Sequence, residues 1–340
     1  MKIIDLFSGI GGFSLGFHRA GYQFTEHYFS EIDKHAIANY KQNFPNAKYI
    51  GDITTLHGGD FTDIDIITFG SPCQNFSTAG KREGLKGAKS SLIQHAIALI
   101  AEVRPSVFIW ENVKGAFSSN AGADFWAIIQ AFANIGGYRL EFQLLNTKWV
   151  LPQNRERIYL IGHLAGQSQP GVFPITEDDC APRKEKTYQF QAKLSGTLKA
   201  NGNMNADDTY IIPKTASTLT GGGHSGGLHS DMTIIRQLPR GKNKGADLKI
   251  CPTISSNAFQ ENNLLGGVRR LTEIECERLQ GFPDNWTQYG DYNGTIKPIA
   301  KTQRYKLIGN AVTVDIVELI AKRLKIIVDE FTPYTQEKLV

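Results

Sequence analysis

Lys2-Ile3-Ile4-Asp5-Leu6-Phe7-Ser8-Gly9-Ile10-Gly11-Gly12 is the stretch that decides the fold of this 340-residue chain. An apolar run of strand length ends in a glycine-rich turn, and residues 13–20 continue with a helical pattern. Glycines at such a turn permit tight bending and let a ligand approach the backbone closely. A structural strand-to-helix turn reads the same way, so the motif alone leaves ligand binding open. The alternation repeats outward from it. Strands are predicted at residues 2–7, 24–30, 48–50, 64–69, 107–110, 138–145 and 157–162, with helices over 35–43, 92–103 and 124–135. Alternation of this kind predicts an α/β fold with a doubly wound, mostly parallel sheet. No helical period separates the last two strands, so they are expected to pair antiparallel.

Composition sets the outer limits. With 41% apolar and 21% charged residues the chain reads as soluble and globular. Its net charge of +4 is too slight to announce a nucleic-acid binder by itself. Cys73, Cys180, Cys251 and Cys276 lie far apart, with no C-x-x-C pair to hold zinc and no dense pattern to staple a secreted domain, so a reducing cytoplasm is the expected compartment. No apolar run approaches the roughly 18 residues needed to span a bilayer, and Asp5 with the glycine turn stands where a signal peptide needs its apolar stretch.

After about residue 163 Gly, Asn, Ser and Thr dominate, and no long amphipathic helix appears until residues 272–279, which marks a domain boundary. A loose repeat runs through this region. Ser195-Gly196-Thr197-Leu198 leads to Tyr210-Ile211-Ile212, Ala216-Ser217-Thr218-Leu219 to Thr233-Ile234-Ile235, and, more faintly, Cys251-Pro252-Thr253-Ile254 to Asn263-Leu264-Leu265. These read as short strand pairs joined by polar loops. An amphipathic helix over about residues 314–328 closes the chain.

In doubly wound sheets ligands bind at the carboxyl ends of the strands, and here most predicted strands deliver a polar or special residue to that edge. Glu31 ends the second, about 22 residues after Gly9, the distance at which an acidic side chain accepts from ribose hydroxyls. Asp52 ends the third and could accept from an adenine amino group. Singly, either carboxylate is as well explained as a solvated loop residue. With the glycine turn they favour a nucleoside-containing cofactor, a dinucleotide and S-adenosylmethionine remaining open. The fourth strand ends in Gly70-Ser71-Pro72-Cys73-Gln74-Asn75-Phe76-Ser77, a polar turn in which backbone N–H groups and nearby cations can favour a reactive thiolate, though a lone cysteine is more often inert core. Glu111-Asn112-Val113 follows the apolar Val107-Phe108-Ile109-Trp110. A carboxylate half-buried in such surroundings has its pKa raised and can donate a proton near neutral pH, unless it is simply a hydrogen-bonded structural acid. Gln153-Asn154-Arg155-Glu156-Arg157 opens the antiparallel strand on the same edge. Arginines at i and i+2 of an extended segment share a side and suit an anion or a carbonyl oxygen.

Taken together, these motifs resemble the DNA (cytosine-5)-methyltransferases of bacterial and phage restriction-modification systems. The likeness is carried by Asp5 to Gly12, Pro72-Cys73-Gln74, Glu111-Asn112-Val113 and Gln153 to Arg157. It continues through Arg269-Arg270-Leu271-Thr272, Glu275-Cys276-Glu277-Arg278-Leu279-Gln280-Gly281-Phe282-Pro283 and Gly309-Asn310-Ala311-Val312, in the family's order over almost the whole chain. The resemblance implies a Rossmann-like S-adenosylmethionine-dependent methyltransferase fold whose seventh strand is antiparallel. It also implies a smaller, loop-rich, mainly β target-recognition domain. The expected division is a discontinuous catalytic domain of residues 1–163 and 303–340 around a recognition domain of 164–302.

For the chemistry, the resemblance implies that Cys73, as thiolate, adds to carbon 6 of a flipped cytosine while Glu111 engages N3 and the exocyclic amine, with Arg155 and Arg157 holding O2 and the adjacent phosphate. It implies that S-adenosyl-L-methionine is held by Phe7, Gly9, Ile10, Gly11, Gly12, Glu31, Ile32, Asp52, Ile53, Pro72, Leu92, Asn310 and Val312. Double-stranded DNA is the expected partner. Gln74, Ser77 and the loop cations Lys81, Arg82, Lys86 and Lys89 would contact it, the loop acting as a lid, although a charged loop is usually only solvated. Arg236, Arg240, Lys242 and Lys244 are expected phosphate or guanine contacts, with a soluble basic loop as the bland alternative.

Other functions fit the residues less well. A tRNA cytosine-5 methyltransferase shares the catalytic set, but the Cys-Phe-Thr element typical of that branch is missing from the sequence. A binding module without catalysis would not need Cys73, Glu111 and both arginines, and a nicotinamide dehydrogenase would have no use for Pro72-Cys73-Gln74. With its first strand at residue 2 and little after its last helix, the chain is expected to be a stand-alone monomer, with any cognate restriction endonuclease acting independently.

Overall fold

The computed structural model describes residues 1–71, 91–180, 235–237, 246–248, 251–252, 263–265 and 269–326. The first half alternates as the sequence predicts. In chain order come β1 (Lys2–Leu6), α1 (Gly12–Arg19), β2 (Glu26–Ser30), α2 (Lys34–Asn43), β3 (Lys48–Tyr49), β4 (Ile66–Gly70), α3 (Ser91–Val103), β5 (Val107–Val113), α4 (Ala123–Asn134), β6 (Tyr138–Asn146), β7 (Gln153–Asn154), β8 (Glu156–Leu164) and β9 (Ser168–Gln169). Seven of these strands form one sheet in the order β3-β2-β1-β4-β5-β8-β6. Neighbours from β3 to β5 pair parallel, and β8 inserts antiparallel to both β5 and β6. The strand order reverses between β1 and β4, so a crevice is expected at their carboxyl ends.

Side-chain alternation along the buried strands builds a core on each face. Ile4, Ile67, Phe108 and Leu160 face α3 and α4, while Ile3, Ile66, Val107 and Ile161 face α1 and the C-terminal helix. That helix, α7 (Val314–Arg323), packs along α1 although nearly the whole chain separates them. Before it lie β10 (Ile235–Gln237), β11 (Ala246–Leu248), β12 (Cys251–Pro252), β13 (Asn263–Leu265), β14 (Arg269–Arg270), α5 (Glu273–Leu279), β15 (Tyr289–Asp291), β16 (Ile296–Pro298) and α6 (Lys301–Asn310). A second sheet, β11-β10-β13-β14, pairs the strand ends of the sequence repeat, with Ile235 opposite Leu265. β12 pairs parallel with β7, so this region meets the first half of the chain immediately before Arg155. Residues of α5 and α6 share an apolar cluster with Ile10 and Ala36, placing them against the flank of the first sheet.

The helix α6 has no counterpart in the sequence prediction, and two predicted elements run differently. β5 continues to Val113, so Glu111 lies within a strand; pairing with β8 as far as Val113–Arg157 keeps the backbone extended there. α7 stops at Arg323, and Lys325–Ile326, here β17, pairs antiparallel with β9. Arg323 fixes that exit by donating to the carbonyls of Val172 and Pro174. Among the described residues no helix is long and apolar enough to cross a membrane.

Candidate active site

β1 delivers Phe7 to Gly12 to the crevice. Gly9 and Gly11 adopt φ of +54° and +82°, the left-handed region that glycine enters without Cβ strain, and Phe7 between strand and turn is left-handed too, at +49°. Inside the turn Gly11 N–H donates to Ser8 O at 2.9 Å. Glu31, following β2, is bound to it directly. Its Oε2 accepts from Gly9 N–H at 2.9 Å, while Oε1 accepts from Ile32 and Asp33 N–H at 2.7 and 2.9 Å. Gly12 opens α1 because nothing larger fits: a Cβ there would sit 2.7 Å from Val312 Cγ2. The turn, Glu31 and Val312 are therefore one assembly.

The other residues expected in a cofactor shell are dispersed around it. Ile32 is 71% exposed, unusual for isoleucine. Asp52 caps a short 3-10 turn by accepting from Thr54 N–H, and Ile53 behind it is buried in the core. Leu92 packs at the edge of the same core, and Asn310 ends α6 on the surface. Two atoms have capacity to spare. Ser8 Oγ and Glu111 Oε1 are buried with no hydrogen-bond partner among the described residues.

Glu111 stands opposite Gly70 on β4 and Tyr159 on β8, and is 8% exposed. The apolar flank in the sequence gave no hint of its charged neighbour: Arg157 Nε lies 3.1 Å from Oε1 as an ion pair, without the alignment of a hydrogen bond. Arg155, two residues earlier, does not share its direction. It lies between β7 and β8 rather than inside a strand, is 3% exposed, and donates to Gly309 O and Ala311 O at 3.4 and 2.8 Å. The edge thus gathers Glu111 and Arg157, while Arg155 ties it to the 309–312 segment beside the glycine turn.

Pro72, Cys73, Gln74, Ser77, Lys81, Arg82, Lys86, Lys89, Arg240, Lys242 and Lys244 lie outside the described residues. Arg236 sits on β10 at the register position opposite Asp247. Sequence reasoning missed the residues that hold the described framework. Ser71, the last described residue before Pro72, is buried and accepts from Trp110 Nε1 at 2.9 Å and Asn112 Nδ2 at 3.2 Å. Below the turn, buried Asp5 accepts from Ser14, Tyr40 and Thr68 hydroxyls at 3.0–3.1 Å, and His27 Nε2 lies 2.7 Å from Tyr40 Oη. Asp5 stands out in the sequence as an acid inside an apolar strand, but its three hydroxyl partners lie on three other elements, α1, α2 and β4.

Comparison with known proteins agrees with this geometry. The family model described as C-5 cytosine-specific DNA methylase matches residues 1–326. The Type II methyltransferase M.Bsp6I of Bacillus sp. (strain RFL6) is 31% identical over 338 residues, covering 95% of this chain and 98% of its own. M1.ScrFI of Lactococcus lactis subsp. cremoris, also a Type II methyltransferase, is 32% identical over 341 residues, covering 95% and 77%. Among solved structures, a DNA modification methyltransferase encoded within an E. coli prophage superposes with a TM-score of 0.60 at 23% identity, covering 95% of this chain and 97% of its own, which is a likeness of fold. The chain belongs to the C-5 cytosine-specific DNA methylases: it is a DNA (cytosine-5)-methyltransferase whose methyl donor is S-adenosyl-L-methionine.

Proposed function

We propose that the chain methylates carbon 5 of a cytosine flipped out of duplex DNA through a transient covalent bond between Cys73 and carbon 6. The observation that carries this most directly is Glu111 Oε1, a buried carboxylate oxygen with hydrogen-bonding capacity to spare, beside Arg157 and next to the strand end that leads to Cys73. Carbon 5 of cytosine is a poor nucleophile. Glu111, engaging N3 and the exocyclic amine, lets the ring accept electron density as the Cys73 thiolate forms its bond to carbon 6, and the density reaches carbon 5. When bound, S-adenosyl-L-methionine would supply an electrophilic methyl group, to which carbon 5 forms its new bond while the sulfur keeps the electrons of the broken one and S-adenosyl-L-homocysteine is left. A base then removes the carbon-5 proton, the electron pair restores the 5,6 double bond, and Cys73 leaves as thiolate. Arg157, paired with Glu111, would orient that carboxylate and hold O2 or the neighbouring phosphate. To Arg155, with its buried bonds to Gly309 and Ala311, we assign the positioning of that edge against the cofactor segment.

The residues at the glycine turn fit the cofactor. Among the described residues, Ser8 Oγ has no hydrogen-bond partner and nothing beyond the chain neighbours lies within 4 Å of a Cβ position on Gly9, while Ile32 offers exposed apolar surface for an adenine ring. Glu31 would take the ribose, Phe7, Asp52 and Ile53 the adenine, and Pro72, Leu92, Asn310 and Val312 would close the shell. Residues 1–163 with 303–340 would form the catalytic domain and 164–302 the recognition domain. Lys81, Arg82, Lys86 and Lys89 would serve as a DNA-closing lid after Gln74 and Ser77. The relatives named Type II methyltransferases favour an enzyme of a restriction-modification system; in that role the chain would act as a cytoplasmic monomer, with any endonuclease a separate chain.

Cys73→Ala is expected to abolish methyl transfer from labelled cofactor to duplex DNA while DNA binding survives. Turnover by that variant would sink the covalent route. Bisulfite sequencing of DNA from cells expressing the wild-type chain reads out the recognition sequence.

A further inference from the structure

The geometry points to Trp286 as a positioning residue for the cofactor turn, reaching it from the segment that follows the recognition strands. Ile10 is the middle residue of the turn, between the left-handed Gly9 and Gly11, and its side chain is fully buried. Its carbonyl accepts from Trp286 Nε1 at 2.9 Å, a contact across 276 residues of sequence. Trp286 is itself held on the other side. Its carbonyl accepts from Asn39 and Asn43 of α2 at 2.8 and 3.1 Å, and its ring packs edge-on against Phe44 at 5.7 Å between centroids. The same α2 follows Glu31, the acid that binds the turn at Gly9.

One tryptophan thus braces both parts of the proposed cofactor cradle, the turn through its indole N–H and the helix after Glu31 through its main-chain carbonyl. The N–H does work that packing cannot. The peptide between Ile10 and Gly11 is free to rotate toward either hand because its C-terminal neighbour is glycine, and a buried acceptor deprived of its donor reorients or stays unsatisfied. A rotated Ile10–Gly11 peptide moves Gly11 N–H, which closes the turn on Ser8 O. Phenylalanine at 286 would keep the ring against Phe44 and lose the donor.

This inference rests on the cofactor reading of the turn, and the test separates the two. S-adenosylhomocysteine is titrated calorimetrically into wild type, Trp286→Phe and Glu31→Ala, and steady-state methylation is measured with cofactor varied. Trp286→Phe is expected to weaken binding about fivefold to tenfold, the scale of one lost buried hydrogen bond, with the loss appearing in the cofactor KM rather than in kcat. Wild-type affinity for Trp286→Phe, or a fall in kcat at unchanged KM, overturns the role. If Glu31→Ala also binds as wild type, the cofactor reading falls with it; if Glu31→Ala loses binding and Trp286→Phe does not, only the role of Trp286 is lost. Should Trp286→Phe not fold, hydrogen exchange of the indole N–H in wild-type protein labelled with nitrogen-15 tryptophan decides. The expected result is a Trp286 indole whose protection rises with S-adenosylhomocysteine. A Trp286 indole as fast as that of the 59%-exposed Trp126 in both states overturns the proposal.

Discussion

Asp5 and His27 carry opposite pH signatures within one hydrogen-bonded cluster. Burial pushes the Asp5 carboxyl up to about 7, against the lowering pull of the Thr68, Tyr40 and Ser14 hydroxyls and with a further push from Glu31. Burial lowers His27 to about 4, with His18 adding to the effect. For Asp5 the folded state holds its proton more tightly than the unfolded chain, so its contribution to stability is present at low pH and is lost as pH rises from about 4 to about 7. For His27 the unfolded chain binds the proton more tightly, so stability is lost as pH falls from about 6.5 to about 4. The two slopes nearly cancel over the shared window. Relative to wild type, His27→Gln is therefore expected to lose stability as pH rises from about 4.5 to 6.5, at up to about 1.4 kcal/mol per pH unit. Asp5→Asn should gain stability over the same interval. Urea unfolding across that range checks both, and parallel curves for all three proteins would show that the pair does not titrate as described.

At the scale of elements, α5 and α6 are joined by a buried charge. Glu277 is fully buried and accepts from Asn285 and Thr287 N–H at 2.8 and 2.9 Å and from Arg304 Nη2 at 2.9 Å, while Arg304 Nε donates to Thr287 Oγ1. Removing the arginine leaves a carboxylate in the core with only neutral donors, so Arg304→Met is expected to cost about 3–5 kcal/mol in urea unfolding. Glu277→Gln/Arg304→Met should cost less than the single variant, because no charge is stranded in the core, although the single amide oxygen accepts from only one of the two N–H groups that Glu277 holds on separate oxygens. A double variant no more stable than the single one would remove charge from the explanation. None of this pairing shows in the sequence, where Glu277 and Arg304 belong to separate helices with ordinary surface-like composition. Strands and helices of the sheet were legible because their periodicity is local, and Glu31 was legible because strand-end chemistry repeats at a known spacing. Trp286, Ser71 and the divergence of Arg155 from Arg157 were not, since each depends on a partner brought close only by the fold. The end of α7 was missed for the related reason that residues 325–328 are apolar enough to continue the helical pattern, while the backbone pairing with β9 that replaces it is non-local.

Across the whole molecule, positive charge is in surplus mainly in two short segments where DNA is proposed to lie, the rest of the chain holding 28 positive and 31 negative side chains. Residues 236–249 hold five positive side chains against Asp247 alone, a surplus equal to the +4 of the entire chain, and residues 80–89 hold four against Glu83. Two short segments can carry a footprint because affinity for DNA depends on the phosphates neutralised locally, not on the protein's total charge. The fold gives the first segment a route to the active edge, since β12 follows it and pairs with β7, immediately before Arg155. If Lys242 and Lys244 each neutralise a phosphate, replacing both with Gln lowers the slope of log K against log salt by about 1.8 and weakens specific and non-specific duplexes alike. Base-reading side chains would instead lower affinity for the recognised sequence while leaving non-specific binding and its salt slope near wild type. Fluorescence anisotropy on both duplexes over a salt series separates these outcomes, and an unchanged slope together with unchanged affinity would place this segment outside the footprint.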